Sequence, residues 1–141
     1  MIDASYELQI AIVERLKAYG PLVALIGQRV YDSVPRDSSG NVSSATFPYV
    51  SFGPETAVGE QFECIIGSEI TIQLDAWSRG VGFPEVKKIA GAVRAALHNY
   101  PLPLAENALV SFEYEGRRIF RDPDGKTSHA VLTFRAIVEH D

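Results

Sequence analysis

The chain has 141 residues, 46% of them hydrophobic and 22% charged, the proportions of one globular domain large enough to bury a core but too small for two. Its 13 Lys and Arg against 18 Asp and Glu leave a net charge of −5, which argues against an open groove that grips nucleic-acid phosphates. The one cysteine, Cys64, forbids an internal disulfide, and no apolar run approaches the roughly 20 residues that cross a bilayer.

The opening residues are polar and lack a basic stretch followed by an apolar run, so no signal peptide is expected. Asp3 or Ser5 can cap a first helix running to about Tyr19, with Tyr6, Ile10, Val13 and Leu8, Ile12, Leu16 as apolar rows and Glu7, Glu14, Arg15 and Lys17 between them. Gly20 and Pro21 stop it. A short second turn of helix, residues 22–26, ends at Gly27, and residues 29–34 then alternate as a strand closed by Pro35. Residues 35–46 hold almost nothing to bury and read as a mobile loop. Residues 48–52 form the next strand. Beyond it, residues 53–68 are interrupted by Gly53, Pro54, Gly59 and Gly67, yet Phe62, Cys64 and Ile66 alternate; this reads as a long β-hairpin arm whose tip, near Gly59, projects past the core. In the return strand, residues 69–77, Ile70, Ile72, Leu74 and Ala76 share one face while Thr71, Gln73 and Asp75 share the other.

Pro84 and Glu85 suit the first turn of an amphipathic helix whose stripe is Val86, Ile89, Ala90, Val93, Ala96 and Leu97, with Lys87, Lys88 and Arg94 opposite. His98 sits at its C-terminal end, and Asn99 and Pro101 terminate it. Residues 108–114 and 117–121 read as strand, broken or bulged at Gly116. Asp122, Pro123, Asp124 and Gly125 spell a type I turn, and residues 129–138 return with Ala130, Leu132, Phe134, Ala136 and Val138 on one face. The order predicts one α+β domain over 1–141: a mostly antiparallel sheet with two helices packed on one face and a projecting hairpin arm.

Chemical motifs are weak. Gly80, Val81 and Gly82 lie between strand and helix, but a dinucleotide fingerprint needs glycine at 85, which is Glu, and no Gly-Lys-Ser/Thr follows. A calcium loop starting at Asp122 needs glycine at 127 and Glu at 133; both are Thr. His98, His129 and His140 lack metal-ligand spacing, and Ser128 lacks a nucleophile elbow. No catalytic residue, metal or cofactor is therefore expected, and the protein is not read as an enzyme. Two readings of Trp77 and Arg79 stand: Trp77 caps the core under the helix while Arg79 is solvated, or both lie on a face shared with another subunit. For the arm, Phe62, Cys64, Ile65 and Ile66 need more apolar cover than a chain this small supplies, which favours an interface.

Several segments together resemble the tail-completion, or tail-terminator, proteins of long-tailed phages, which also occur in prophages and gene-transfer particles. They are Leu22-Val23-Ala24-Leu25-Ile26-Gly27 followed by Arg29 to Asp32 and Val34-Pro35, then Phe47-Pro48-Tyr49-Val50, the strand ending Asp75-Ala76-Trp77-Ser78-Arg79, the helix from Ile89 to His98, and Arg121-Asp122-Pro123-Asp124-Gly125 before a final strand. The resemblance spans nearly the whole chain. It implies a virion tail or neck protein, made in the host cytoplasm, that forms a ring, typically of six copies, to cap the tail tube, end its polymerisation and join the head connector. DNA would pass through the lumen without specific binding. Ring contacts are then expected at residues 60–66 and around Trp77 and Arg79, and tube or connector contacts at residues 37–44 and in the loop holding Asp122 and Asp124. The rival reading is a stand-alone α+β module that binds a small ligand or RNA; it requires an enclosed pocket or a basic aromatic sheet face.

Overall fold

The computed structural model describes residues 2–62 and 65–140, and of residues 60, 61, 62 and 65 the backbone alone. Asp3 caps α1 (Ala4–Ala18), its carboxylate accepting the backbone N–H groups of Ser5 and Tyr6 at 2.8 and 3.3 Å. The buried row of α1 is Ala4, Leu8, Ala11, Ile12 and Leu16, whereas Tyr6 and Ile10, expected in an apolar row, face solvent. The stripe is turned toward position 7. Glu7, expected on the solvated face, is only 6% exposed because the Glu106 N–H and the Asn107 side-chain amide donate to its carboxylate at 3.0 Å each. Burial raises the affinity of that carboxyl for a proton, but these donors outweigh it and hold the pKa below the ordinary value.

The short turn after Pro21 is a full helix, α2 (Gly20–Ile26), so three helices rather than two lie against the sheet. β1 is only Val30–Tyr31, shorter than the 29–34 alternation suggested, and it pairs parallel to β2 through Val30 and Val50. β2 (Tyr49–Phe62) and β3 (Ile65–Ser78) form one antiparallel hairpin. Gly59, expected near its tip, sits within β2 opposite Ser68. Gly53 and Pro54 are absorbed as a bulge between Phe52 and Glu55 instead of ending the strand, since an edge strand needs hydrogen bonds on one side only.

α3 (Pro84–Leu97) buries the whole predicted stripe, from Val86 to Leu97, and Asn99 leaves the helix at φ 56°. β4 (Ala108–Arg121) runs through Gly116 by way of a register shift between Tyr114 and Gly116, and β5 (Ser128–Glu139) returns beside it. The sheet order is β1-β2-β3-β5-β4, antiparallel except for the β1–β2 pair. An α+β fold results.

Alternation decides what each face does. Ile70, Ile72, Leu74 and Ala76 of β3 and Ala130, Leu132, Phe134, Ala136 and Val138 of β5 enter one core with the buried rows of the helices. Phe134 stacks on Phe112 of β4 at 5.3 Å. Among the described residues, no α-helix lies on the opposite face. It carries Glu69, Thr71, Gln73, Asp75 and Trp77 against Ile137, Arg135, Thr133, Val131 and His129.

Candidate functional site

At one end of that open face each of the five strands contributes one ring. Tyr31 of β1 meets Tyr49 of β2 edge-on at 5.8 Å, and Tyr49 lies 6.0 Å from Trp77 of β3. Trp77 stacks on His129 of β5 at 3.7 Å and 15°, and Phe120 of β4 meets His129 edge-on at 4.8 Å. The row follows from register, because Tyr49, Trp77, His129 and Phe120 are successive cross-strand partners. Trp77 therefore lies on the face away from the helices and does not cap the core under α3. Its indole N–H donates to Ser51 Oγ at 3.0 Å.

Polar groups knit the row to the loops beside it. His129 Nε2 is 2.8 Å from Asp75 Oδ1, which also accepts from Gln73 Nε2 at 3.0 Å. The other ring nitrogen, Nδ1, faces Asp122 at 3.8 Å. Arg79 spans three pieces of chain: Nε donates to Thr127 Oγ1 at 3.2 Å, an Nη donates to Ser44 Oγ at 3.1 Å, and the guanidinium lies 4.0 Å from the centre of the Phe47 ring. Thr127 in turn donates its hydroxyl to Asp124 Oδ2 at 2.6 Å, while the backbone N–H groups of Lys126 and Thr127 reach Asp124 Oδ1 at 2.9 Å. Those three donors, the hydroxyl foremost, lower the Asp124 pKa to about 2. Burial raises that of Tyr49, against the nearby positive charges of Arg36 and Arg79. Residues 32–36 and 40–42 wall off an open cleft of about 480 Å³ above the row.

The residues singled out from the sequence thus fall into two groups. Trp77, Arg79, Asp122 and Asp124 converge on this cleft. Ile66, 59% exposed, belongs to the far end of β3, where eleven residues of strand place it about 35 Å from Trp77. Phe62 and Ile65 are backbone partners there, and Cys64 lies outside the described residues. Asp75, His129, Tyr49, Phe120 and Thr127 were not singled out. A signal for the first two existed in the alternation of 75 and 77 on one strand and 129 and 131 on another, but it is readable only once β3 is known to pair with β5 across α3 and β4.

Chemically the cleft is a clamp. A His–Asp pair activates a nucleophile when the second imidazole nitrogen meets a hydroxyl or thiol. Here it meets a second carboxylate, and the nearby Ser51 and Thr127 hydroxyls are engaged with Trp77, Arg79 and Asp124. The groups hold loops onto a sheet end, while the sheet keeps one bare face and, among the described residues, unpaired outer edges on β4 and on β2 beyond Ser51.

A sheet with bare edges and a site spent on bracing defines a structural component of a larger assembly. Comparison with known proteins makes that specific. Residues 10–139 match the family described as tail completion protein gp17, and the chain belongs to that family. It is 28% identical over 138 residues to the tail completion protein gp17 of Bacillus phage SPP1, covering 98% of this chain and 96% of the relative. It superposes with a TM-score of 0.84, at 29% identity, on a chain from the virion of a native gene transfer agent particle, covering 99% of each. The role is tail completion, and the location is the virion tail or neck.

Proposed function

We propose that the protein completes the tail as a ring, of six copies on the resemblance drawn from the sequence, that caps the tail tube, stops its polymerisation and presents the joining surface for the head connector. The observation that carries the reading is that one sheet ends in two different unpaired edges, β2 on one side and β4 on the other. Opposite, unlike edges make heterologous contacts, and such contacts close into rings when the rotation between copies allows. Exposed Val58 on β2 and Val110 on β4 mark those edges as surfaces awaiting cover. The net charge of −5 suits a lumen through which DNA slides without being gripped. The protein acts by fitting surfaces together and performs no catalysis in this reading.

The test adds purified protein to growing tail tubes and images the ends. Growth that halts, with a ring-shaped cap on each tube, is the expected result. Tubes that elongate unchanged while the protein stays monomeric overturn the reading.

A further inference from the structure

We propose that a cationic strip between α3 and β4 seats the acidic β2–β3 hairpin of a second copy of this chain; the proposal rests on the ring reading and names the two halves of its interface. The sequence segregates its charges. Residues 37–78 contain six acids, Asp37, Glu55, Glu60, Glu63, Glu69 and Asp75, and no Lys or Arg. That stretch includes the whole hairpin, on which Glu55 is exposed.

The cations gather on the other side of the sheet. α3 runs antiparallel beside β4: at one end the Tyr114 N–H donates to His98 Nδ1 at 3.1 Å and the Arg94 guanidinium lies 4.5 Å from the Tyr114 ring, and at the other Arg121 lies 4.7 Å from the Phe83 ring. Lys87 is seven residues before Arg94 on the same helix face, and seven residues of helix rise about 10 Å. From Tyr114 to Arg117 the strand passes its bulge and advances by two partner residues, Phe134 to Leu132, which is about 7 Å. Lys87 and Arg117 therefore stand within a few ångströms of the same level, both exposed and, among the described residues, neither in an ion pair. Arg117 projects toward the helices because its cross-strand partner is Leu132 of the core. The β4 carboxylates do not cancel this charge: Glu113 and Glu115 turn to the open face, where they lie 3.6 and 3.1 Å from Arg135.

Geometry and charge select the occupant. The strip borders the unpaired edge of β4, and the acidic hairpin is the unpaired edge of β2, so each copy offers one half to each neighbour. A strand added at β4 gains backbone hydrogen bonds, and Glu55, whose cross-strand partner is Ile72 of the core, lies on the face where Lys87 and Arg117 stand. A nucleic acid fits less well, since a few cations on a chain of net charge −5 release too few counterions to bind tightly.

The test compares ring assembly on purified tail tubes for the wild type, Lys87→Glu/Arg117→Glu, Glu55→Lys/Glu60→Lys, and all four changes together, by imaging and subunit mass. Each double variant is expected to need at least about tenfold more protein to assemble, and the quadruple variant to return to within about threefold of the wild type, because the pairs are restored in reverse. Circular dichroism checks the fold of each. Wild-type assembly across about 0.1 to 1 M salt gives a readout free of substitutions and is expected to weaken as charges are screened. A ring-forming wild type whose double variants and salt response are unchanged overturns the strip and leaves the ring intact. Double variants that assemble normally but lose affinity for a duplex DNA fragment overturn it in favour of a nucleic acid. A wild type that forms no ring overturns the ring reading and this proposal together.

Discussion

Gly67 sits at the base of the hairpin, where β3 passes the last residues of β5, and a Cβ there would lie 2.5 Å from the carbonyl oxygen of Val138. A carbon and an oxygen need about 3.3 Å, so Gly67→Ala forces two backbones apart by roughly 0.8 Å. The obstacle is main chain and cannot rotate away. The economical escape is for the end of β5 to peel off, which gives up the His140 N–H bond to Ile66 O at 2.7 Å, the contact of Ser68 Oγ with His140 Nε2 at 2.7 Å, and the Gly67–Glu139 pairing. Two to three hydrogen bonds at about 1 kcal/mol each, less about 0.5 kcal/mol regained because alanine restricts the unfolded chain, leave a net loss of about 2 kcal/mol. For a chain of this size that lowers Tm by roughly 4–8 °C. Gly59 is the matched control: it lies in the same hairpin with nothing within 4 Å of its Cβ position, and Gly59→Ala is expected to stay within about 0.5 kcal/mol of the wild type. Urea unfolding followed by far-UV circular dichroism measures both. Equal midpoints for the two variants would refute the argument, because they share residue change and hairpin, and only at Gly67 does a backbone stand against the added Cβ.

Four further outcomes are expected. Phe134→Ala removes a fully buried ring that stacks on Phe112 and meets Tyr114 edge-on at 5.6 Å, and should cost about 3–5 kcal/mol in the same unfolding assay. Asp124 has a folded pKa of about 2 against an ordinary value of 3.8, so its contribution is fully present above the unfolded value and lost as pH falls through the folded one; the stability gap between wild type and Asp124→Ala should hold at pH 6 and shrink between about pH 4 and 2, and a gap independent of pH would count against the Thr127 hydroxyl and backbone donors as its cause. Arg79→Lys keeps the charge but loses the planar fork that joins Thr127, Ser44 and Phe47, so limited proteolysis within residues 37–46 should accelerate while the core midpoint moves by about 1 kcal/mol or less. Ile66→Asp places a charge on a side chain that is 59% exposed; it should leave the urea midpoint within about 0.5 kcal/mol and abolish ring formation on tail tubes, and unchanged capping would remove this position from the interface.

The helices and the core strands were legible because their signal is local. A residue at 86, 89, 90, 93, 96 or 97 is apolar whatever lies opposite, and the alternation of β3 and β5 announces one dry face without naming its neighbour. Misreadings arose where a local rule met a tertiary exception. Glycine at 59 signals a turn in isolation, yet a strand at the rim of a sheet tolerates it because only one side must hydrogen-bond. Glu7 reads as solvated by type, and only donors about 100 residues away, at Glu106 and Asn107, make its burial affordable. The strand at β1 was legible within residues 29–34, but its parallel pairing with β2 was not, because alternation names no neighbour.

The ring row shows the same limit from the functional side. Tyr31, Tyr49, Trp77, Phe120 and His129 are scattered over about 100 residues, and each by itself is an ordinary half-polar strand residue. They become a site because the order β1-β2-β3-β5-β4 inserts the last strand between the third and the fourth, which brings His129 onto Trp77 and beside Asp75. No spacing rule encodes that insertion, since α3 and β4 intervene in the chain. It has a mechanical consequence as well. With β3 and β5 inside the sheet, the buried Phe134 lies away from its edges, and the two long strands left at the rims, β2 and β4, are the ones that carry exposed Val58 and Val110. Buried packing is thus concentrated in the interior strands and unpaired backbone is left at the rims, which is the division that the proposed ring requires.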